Sequence, residues 1–157
     1  MISSKLDYCN ALLYGIKCSN IARLQSIQNQ AACIICNIPA GVSVPDSIFY
    51  DLHWLKVRER IVFKYLLLVH KFFIGSAPSY FTDLLLVKDS SDRSLYIKFM
   101  DTASGRRSFT YAAPRLWNRL PAATRKEVNS EHFKKLIKTA LFRNTNNIMQ
   151  AVNLYNV

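Results

Sequence analysis

Residues 52–73 read LHWLKVRERIVFKYLLLVHKFF, and the pattern is helical rather than extended. At 3.6 residues per turn, Lys56, Glu59, Arg60, Lys64, His70 and Lys71 gather on one stripe. Val57, Ile61, Val62, Tyr65, Leu66, Leu68, Val69, Phe72 and Phe73 take most of the remaining circumference. An apolar face that broad cannot be covered by one neighbour, so other segments must pack on it from at least two sides. Gly75 stands where a C-cap glycine is expected, and Pro78 blocks continuation. The apolar run Ile61–Val69 is broken by Lys64 and falls far short of the ~20 residues a membrane span needs. The stretch therefore predicts a core helix over 52–74.

Upstream, residues 3–15 predict a helix capped by Ser3 or Ser4 and ended by Gly15, with Leu6, Cys9, Leu12 and Leu13 on one face. A second helix is expected from an N-cap at Ser19 to Asn37. Ile21, Leu24, Ile27, Ala31, Ile34, Ile35 and Ile38 recur there in steps of three and four, while Arg23, Gln25, Gln28, Asn29 and Gln30 fall mostly on the other side. The short join makes an antiparallel helical hairpin over 3–37. Pro39, Gly41 and Pro45 mark a loop before a short helix at 46–52.

Downstream, Pro78 predicts the first turn of a short helix reaching Leu86. Residues 87–109 change character, since Ser, Asp, Lys and Gly dominate and only Leu95–Phe99 is strand-like. An extended, mobile basic loop holding one hairpin arm is expected there. Helices follow at Thr110–Leu120, carrying Trp117 and stopped by Pro121, and at Ser130–Arg143. The last presents Phe133, Leu136, Ile137, Ala140 and Leu141 inward and Lys134, Lys135 and Lys138 outward. The Asn-rich tail 144–157 receives no element. The expected class is all-α, a single irregular helical domain with an insertion at 87–109. A chain of 157 residues, half of them hydrophobic, can bury such a core.

The formal net charge of +11 is unevenly spread. Residues 1–50 carry three basic and two acidic side chains, residues 51–101 eight and six, and residues 102–157 ten and two. A basic third of this kind points to an acidic partner, nucleic acid first and an anionic membrane or protein surface next. The same charges also suit the wet sides of ordinary helices. MISSKLDYCNALLYGIK has neither a long apolar core nor a cleavage site, so no signal peptide is read. The four cysteines are then expected as reduced thiols, and the compartment as intracellular, cytoplasm or nucleus.

Enzyme chemistry finds little purchase. Gly15, Gly41, Gly75 and Gly105 are isolated from one another, so no phosphate-cradling loop exists. His53, His70 and His132 lack metal-ligand spacing, and no Gly-x-Ser-x-Gly occurs. Asp89 and Asp92, in a Ser-rich stretch between Lys88 and Arg93, read as solvated loop charges. Cys33 and Cys36 form a Cys-x-x-Cys that Cys9 and Cys18 could complete as a zinc set. They lie within a helical pattern, where buried cysteine acting as a small hydrophobe is the better account. No catalytic residue is assigned.

Five phrases occur in order: KLDYCNALLYGI (5–16), RLQSIQNQAACII (23–35), LHWLKVRERIVFKYLLLVHKFFIGSAPSYFTDLL (52–85), GRRSFTYAAPRLWNRLP (105–121) and HFKKLIKTALF (132–142). This series resembles the C-terminal part of the reverse transcriptase polyprotein of non-LTR (LINE-type) retrotransposons, of the jockey and chicken-repeat type, across residues 1–143. The resemblance implies a region that follows the fingers, palm and thumb of an RNA-directed DNA polymerase. The palm's Tyr/Phe-Ala-Asp-Asp box, which holds two divalent metal ions, does not occur in this sequence, and Asp89 with Asp92 is no substitute. The chain is then expected to be non-catalytic and to need no cofactor of its own, although the parent polymerase would use divalent ions. Expected partners are RNA or DNA and the polymerase domains of the parent, with no membrane. Met1 falling inside the family's pattern suggests a truncated element copy or partial gene.

The family role implied is nucleic-acid handling beside the polymerase, and the candidate contacts come from the basic third. Arg106 and Arg107 sit in a glycine-containing loop beside Phe109 and Tyr111, offering phosphate contacts next to stacking rings. Arg115, Arg119, Arg125 and Lys126 flank Trp117. Lys134, Lys135 and Lys138 make a stripe that could track a phosphate backbone. The bland account of each stands beside it, with the aromatics as core or loop anchors and the lysines as a solvated helix side. Arg58 is expected to be tied to a buried carboxylate or a helix end. Nucleic-acid binding and bracing of the polymerase are the two expected roles. The alternative is a small basic helical module for protein or membrane surfaces.

Overall fold

Apolar periodicity near 3.6 residues becomes helix through most of the chain, and the all-α class holds. The computed structural model describes residues 2–39 and 42–143, so Gly41 and the tail 144–157 lie outside the described residues. Two compact units divide the chain, Met1–Ile61 and Val62–Val157.

In the first unit, α1 (Ile2–Asp7) is followed by a short 3-10 helix (Asn10–Leu13) instead of one continuous helix to Gly15. The break is at Cys9, whose φ of 50° is left-handed and ends the helical register. The face expected there is inverted: Asn10 is buried, whereas Cys9 and Leu12 are exposed. α2 (Cys18–Ile35) starts after Lys17 without a side-chain cap, so Ser19 is not its N-cap. Its inner positions are Ile21, Gln28, Ala31 and Ala32, while Ile27, Ile34 and Ile35 face solvent.

Two glutamines account for that rotation. Gln28 is fully buried and donates from Nε2 to the Leu55 carbonyl at 2.9 Å. The Gln25 carbonyl oxygen accepts the Val57 N–H at 2.9 Å, capping α4 (Val57–Phe73) from outside the helix. Arg60 Nε also donates to Leu55 O, at 2.8 Å, and its Nη1 pairs with Asp7. The side chains expected on the wet face of α2 therefore hold the entry to α4. Cysteines are not buried hydrophobes either: Cys9, Cys18 and Cys36 are exposed, Cys33 is half-buried, and all four are free thiols.

Three helices stop by one device. α2 ends at Asn37 (φ 51°), α3 (Asp46–Asp51) at His53 (φ 52°) and α4 at Gly75 (φ 70°). In each, the next N–H reaches back to the carbonyl five residues earlier: Ile38 to Cys33, Trp54 to Phe49 and Ser76 to Lys71. Pro78 belongs to the stop after α4, because α5 (Phe81–Leu84) begins three residues later.

The second unit is built on the rest of α4, with Val62, Tyr65, Leu66, Val69 and His70 buried. His70 does not join the wet stripe. Its ring stacks on Phe133 with centroids 4.1 Å apart, and Nε2 lies 3.1 Å from Glu127 O. Around it, Trp117 is fully buried, stacked on Phe73 and tilted against Phe133. Phe109 packs against Tyr65 and Phe81. Trp117 lies on α7 (Phe109–Trp117), whose Pro114 cannot donate a backbone bond.

The insertion is more ordered than its composition implies. β1 (Val87–Asp89) and β2 (Ser94–Leu95) pair antiparallel, and α6 (Ala103–Arg107) follows, capped by Thr102. The Asn118 side chain serves as a third strand: its Nδ2 donates to Leu95 O at 2.7 Å and its Oδ1 accepts Leu95 N–H at 2.9 Å. Trp117 Nε1 donates to Arg93 O at 2.7 Å. Arg93 in turn reaches the carbonyls of Arg125 and Glu127, at the end of α8 (Ala122–Arg125) and just beyond it. Finally α9 (Ser130–Phe142), capped by Asn129, buries Phe133, Ile137 and Leu141 at intervals of four. Leu136 is exposed there.

Candidate nucleic-acid interface

The nine candidate cations divide by environment. Arg106 and Arg107 are exposed in the last turn of α6, a short helix where a loop is expected. Arg106 Nε donates to Met100 O at 3.3 Å, and Arg107 Nη2 donates to Ser104 Oγ at 3.3 Å. Lys126 and Lys135 are exposed as well. Lys134 is half-exposed and pairs with Glu131 at 2.6 Å, while Lys138 Nζ lies 5.8 Å from the Phe142 ring centroid. Lys134 holds the Glu131 carboxyl below the usual carboxylate range. Lys134, Lys135 and Lys138 share α9, and its inner stripe leaves them on its outer side.

Arg125 leaves the set. Only 8% exposed, it pairs with Asp92 at 2.9 Å and donates from Nη1 to Asn118 O. Asp92, expected as a solvated charge, also accepts the Ser94 N–H at 2.8 Å. Hydrogen bonding from Ser94, with the Arg125 and Lys126 charges adding to it, lowers its pKa. A guanidinium committed to a turn carboxylate and a helix-end carbonyl has no geometry left for a phosphate. Arg115 is committed in part, because its Nη1 donates to the Tyr111 hydroxyl at 2.8 Å and its guanidinium lies over that ring. Arg119 is half-buried.

Of the expected rings, Trp117 is buried, and Phe109 and Tyr111 are half-buried. Trp117 is core, Phe109 is packed between rings, and Tyr111 is tied to Arg115. Exposed aromatics occur elsewhere in the same unit, at Tyr96 and Phe99. A sequence signal for them exists: Leu95–Phe99 is strand-like, yet backbone pairing runs only as far as Tyr96, whose N–H bonds the carbonyl of Leu86, just before β1.

A concave feature lies in the first unit, a cavity of about 240 Å³ lined by Ile21, Ala22, Gln25, Lys56, Arg58 and Glu59. Burial raises the Glu59 pKa, and its Oε2 has no hydrogen-bond partner. Arg58 Nη2 is 3.2 Å from Cys18 Sγ, and Lys56 pairs with Asp46 at 2.8 Å. The expected carboxylate or helix-end tie of Arg58 is in this hydrogen bond a thiol. No group of three or more potential metal ligands occurs among the described residues, and no described helix is long and apolar enough to cross a membrane. Comparison with protein families, with characterised proteins and with solved structures finds no match to this chain.

Proposed function

We propose that this chain is the non-catalytic C-terminal segment of a non-LTR retrotransposon RNA-directed DNA polymerase, and that its last third holds nucleic acid through phosphate contacts. The observation that carries the binding role is charge: residues 102–157 hold ten basic side chains against two acidic ones. Arg106, Arg107, Lys126 and Lys135 stand exposed among them. The five ordered phrases support the parentage. Polymerisation itself belongs to a palm whose aspartate box this sequence lacks, so the segment works by positioning RNA or DNA, with no cofactor of its own.

The test is fluorescence anisotropy with labelled RNA and duplex DNA over a salt series. Wild type is compared with a variant carrying Arg106→Glu, Arg107→Glu, Lys134→Glu and Lys138→Glu. Log affinity should fall linearly with log salt, with a slope of about −0.7 to −0.9 per phosphate neutralised, and the variant should lose both affinity and slope. A folded wild type that binds neither polymer defeats the proposal.

A second reading concerns the first unit, which exposes Tyr8 (81%), Leu12 (80%) and Ile34 (76%). Large apolar side chains left open favour bracing of the parent polymerase by that unit. It leaves the charge argument for the second unit untouched.

A further inference from the structure

We propose that residues 96–107 form a single-strand site, in which unpaired bases stack on Phe99 and Tyr96 while Lys98, Arg106 and Arg107 hold the flanking phosphates. The inference rests on the reading of the basic third as a nucleic-acid surface, and it names the form of the ligand.

Phe99 is 79% exposed and Tyr96 56%. Both rings project from a backbone that is anchored on each side. Leu95, just before Tyr96, is buried and doubly bonded to the Asn118 amide, and the Tyr96 N–H bonds Leu86 O at 2.8 Å. Met100, just after Phe99, has its carbonyl held by Arg106 Nε. Its side chain lies so close over α6 that a Cβ on Gly105 would meet Met100 Sδ at 3.2 Å and Thr102 Oγ1 at 3.0 Å. Two aromatic rings are thus presented on a pinned segment, with the exposed Arg106 bonded to the residue that follows Phe99. Lys98 and Arg107 are exposed in the same stretch, and Asp101 is its one acidic residue.

In a duplex, base faces are covered by their neighbours, and an external ring finds no π partner there. A single strand offers free base faces at each nucleotide and a phosphate beside each one. Exposed rings with cations in the same short stretch suit that combination, without demanding a particular sequence. An acidic peptide would engage the cations and leave the rings unmatched.

The test uses the full chain, titrated by anisotropy with a labelled pyrimidine-rich single-stranded RNA and with a blunt-ended two-strand RNA duplex of equal nucleotide count. Both substituted side chains are exposed, so the variants should keep the wild-type fold, checked by circular dichroism. The Tyr96→Ala, Phe99→Ala double variant should bind the single strand about tenfold or more weakly, with an unchanged salt slope and unchanged duplex affinity. A Phe99→Trp probe, read as a difference from wild type, should be quenched by the single strand and not by the duplex.

Single-strand affinity that survives both ring substitutions, with no quenching, while Arg106→Glu with Arg107→Glu abolishes it, overturns the stacking inference and leaves the phosphate reading standing. Binding of neither polymer overturns both. A blue shift of the probe on phosphatidylserine vesicles, with no response to RNA, overturns both in favour of a membrane surface.

Discussion

His70 shows how a single buried side chain ties several elements together. With Nε2 facing the Glu127 carbonyl, the neutral ring donates there and leaves Nδ1 buried without a partner. Burial lowers its pKa below the ordinary 6.5, the Glu127 carbonyl and carboxylate oppose that shift, and the nearby Arg93 guanidinium adds to it. The folded pKa is the lower one, so the stabilisation is present above pH 6.5 and is lost as pH falls through the folded value. Denaturant unfolding should give a flat stability above that pH. Below it, the slope should reach at most about 1.4 kcal/mol per pH unit for this one proton. A His70→Asn chain should be less stable at pH 8 and lack that part of the slope; identical slopes would remove His70 from the account. Arg125 makes a related case. Asp92→Asn strips its charge partner, and chemical denaturation should show a loss of stability, smaller than for a fully buried pair because Asp92 is open to water. No loss would mean that the carbonyl contact alone holds Arg125.

At the scale of elements, chain reversals and borrowed bonds matter more than helix propensity. Gly75 holds a φ of 70° with no atom within 4 Å of where a Cβ would sit, so Gly75→Ala meets backbone strain and nothing else. Its cost should be about 1 kcal/mol by thermal or chemical unfolding, and Gly75→Asn should cost less. A neutral alanine would contradict the αL stop. From Val57 onward the core helix is legible in the sequence, as is α9, because the stripes Val62, Leu66, Val69 and Phe133, Ile137, Leu141 have no polar competitor; the expected start at 52 fails because the left-handed His53 closes α3 there. α2 is legible as a helix but not in its facing. Gln25 and Gln28 are turned inward by the backbone groups of Leu55 and Val57, about thirty residues away, and no local pattern encodes that. The order within 87–109 is hidden for the same reason, since a side-chain amide, Asn118, supplies the pairing that a strand would otherwise signal. Among the cations, the exposed ones follow from composition and helix phase. Arg125 could be set aside only once Asp92, far off in sequence, was seen to face it.

Over the whole molecule, helices dominate two compact units of different character. Both expose aliphatic and aromatic side chains, but the first carries little net charge and the second carries all ten basic side chains of residues 102–157. On the proposed reading, bracing falls to the first and nucleic-acid contact to the second. Both roles need only surface, and neither asks the fold for a catalytic constellation. The most direct test is an NMR titration of the ¹⁵N-labelled chain with a short single-stranded RNA at low salt. The account predicts amide shifts concentrated at residues 96–107 and along the lysine side of α9, reversed by added salt, with residues 2–39 unmoved. Shifts confined to the first unit, or none in a folded chain, would contradict it.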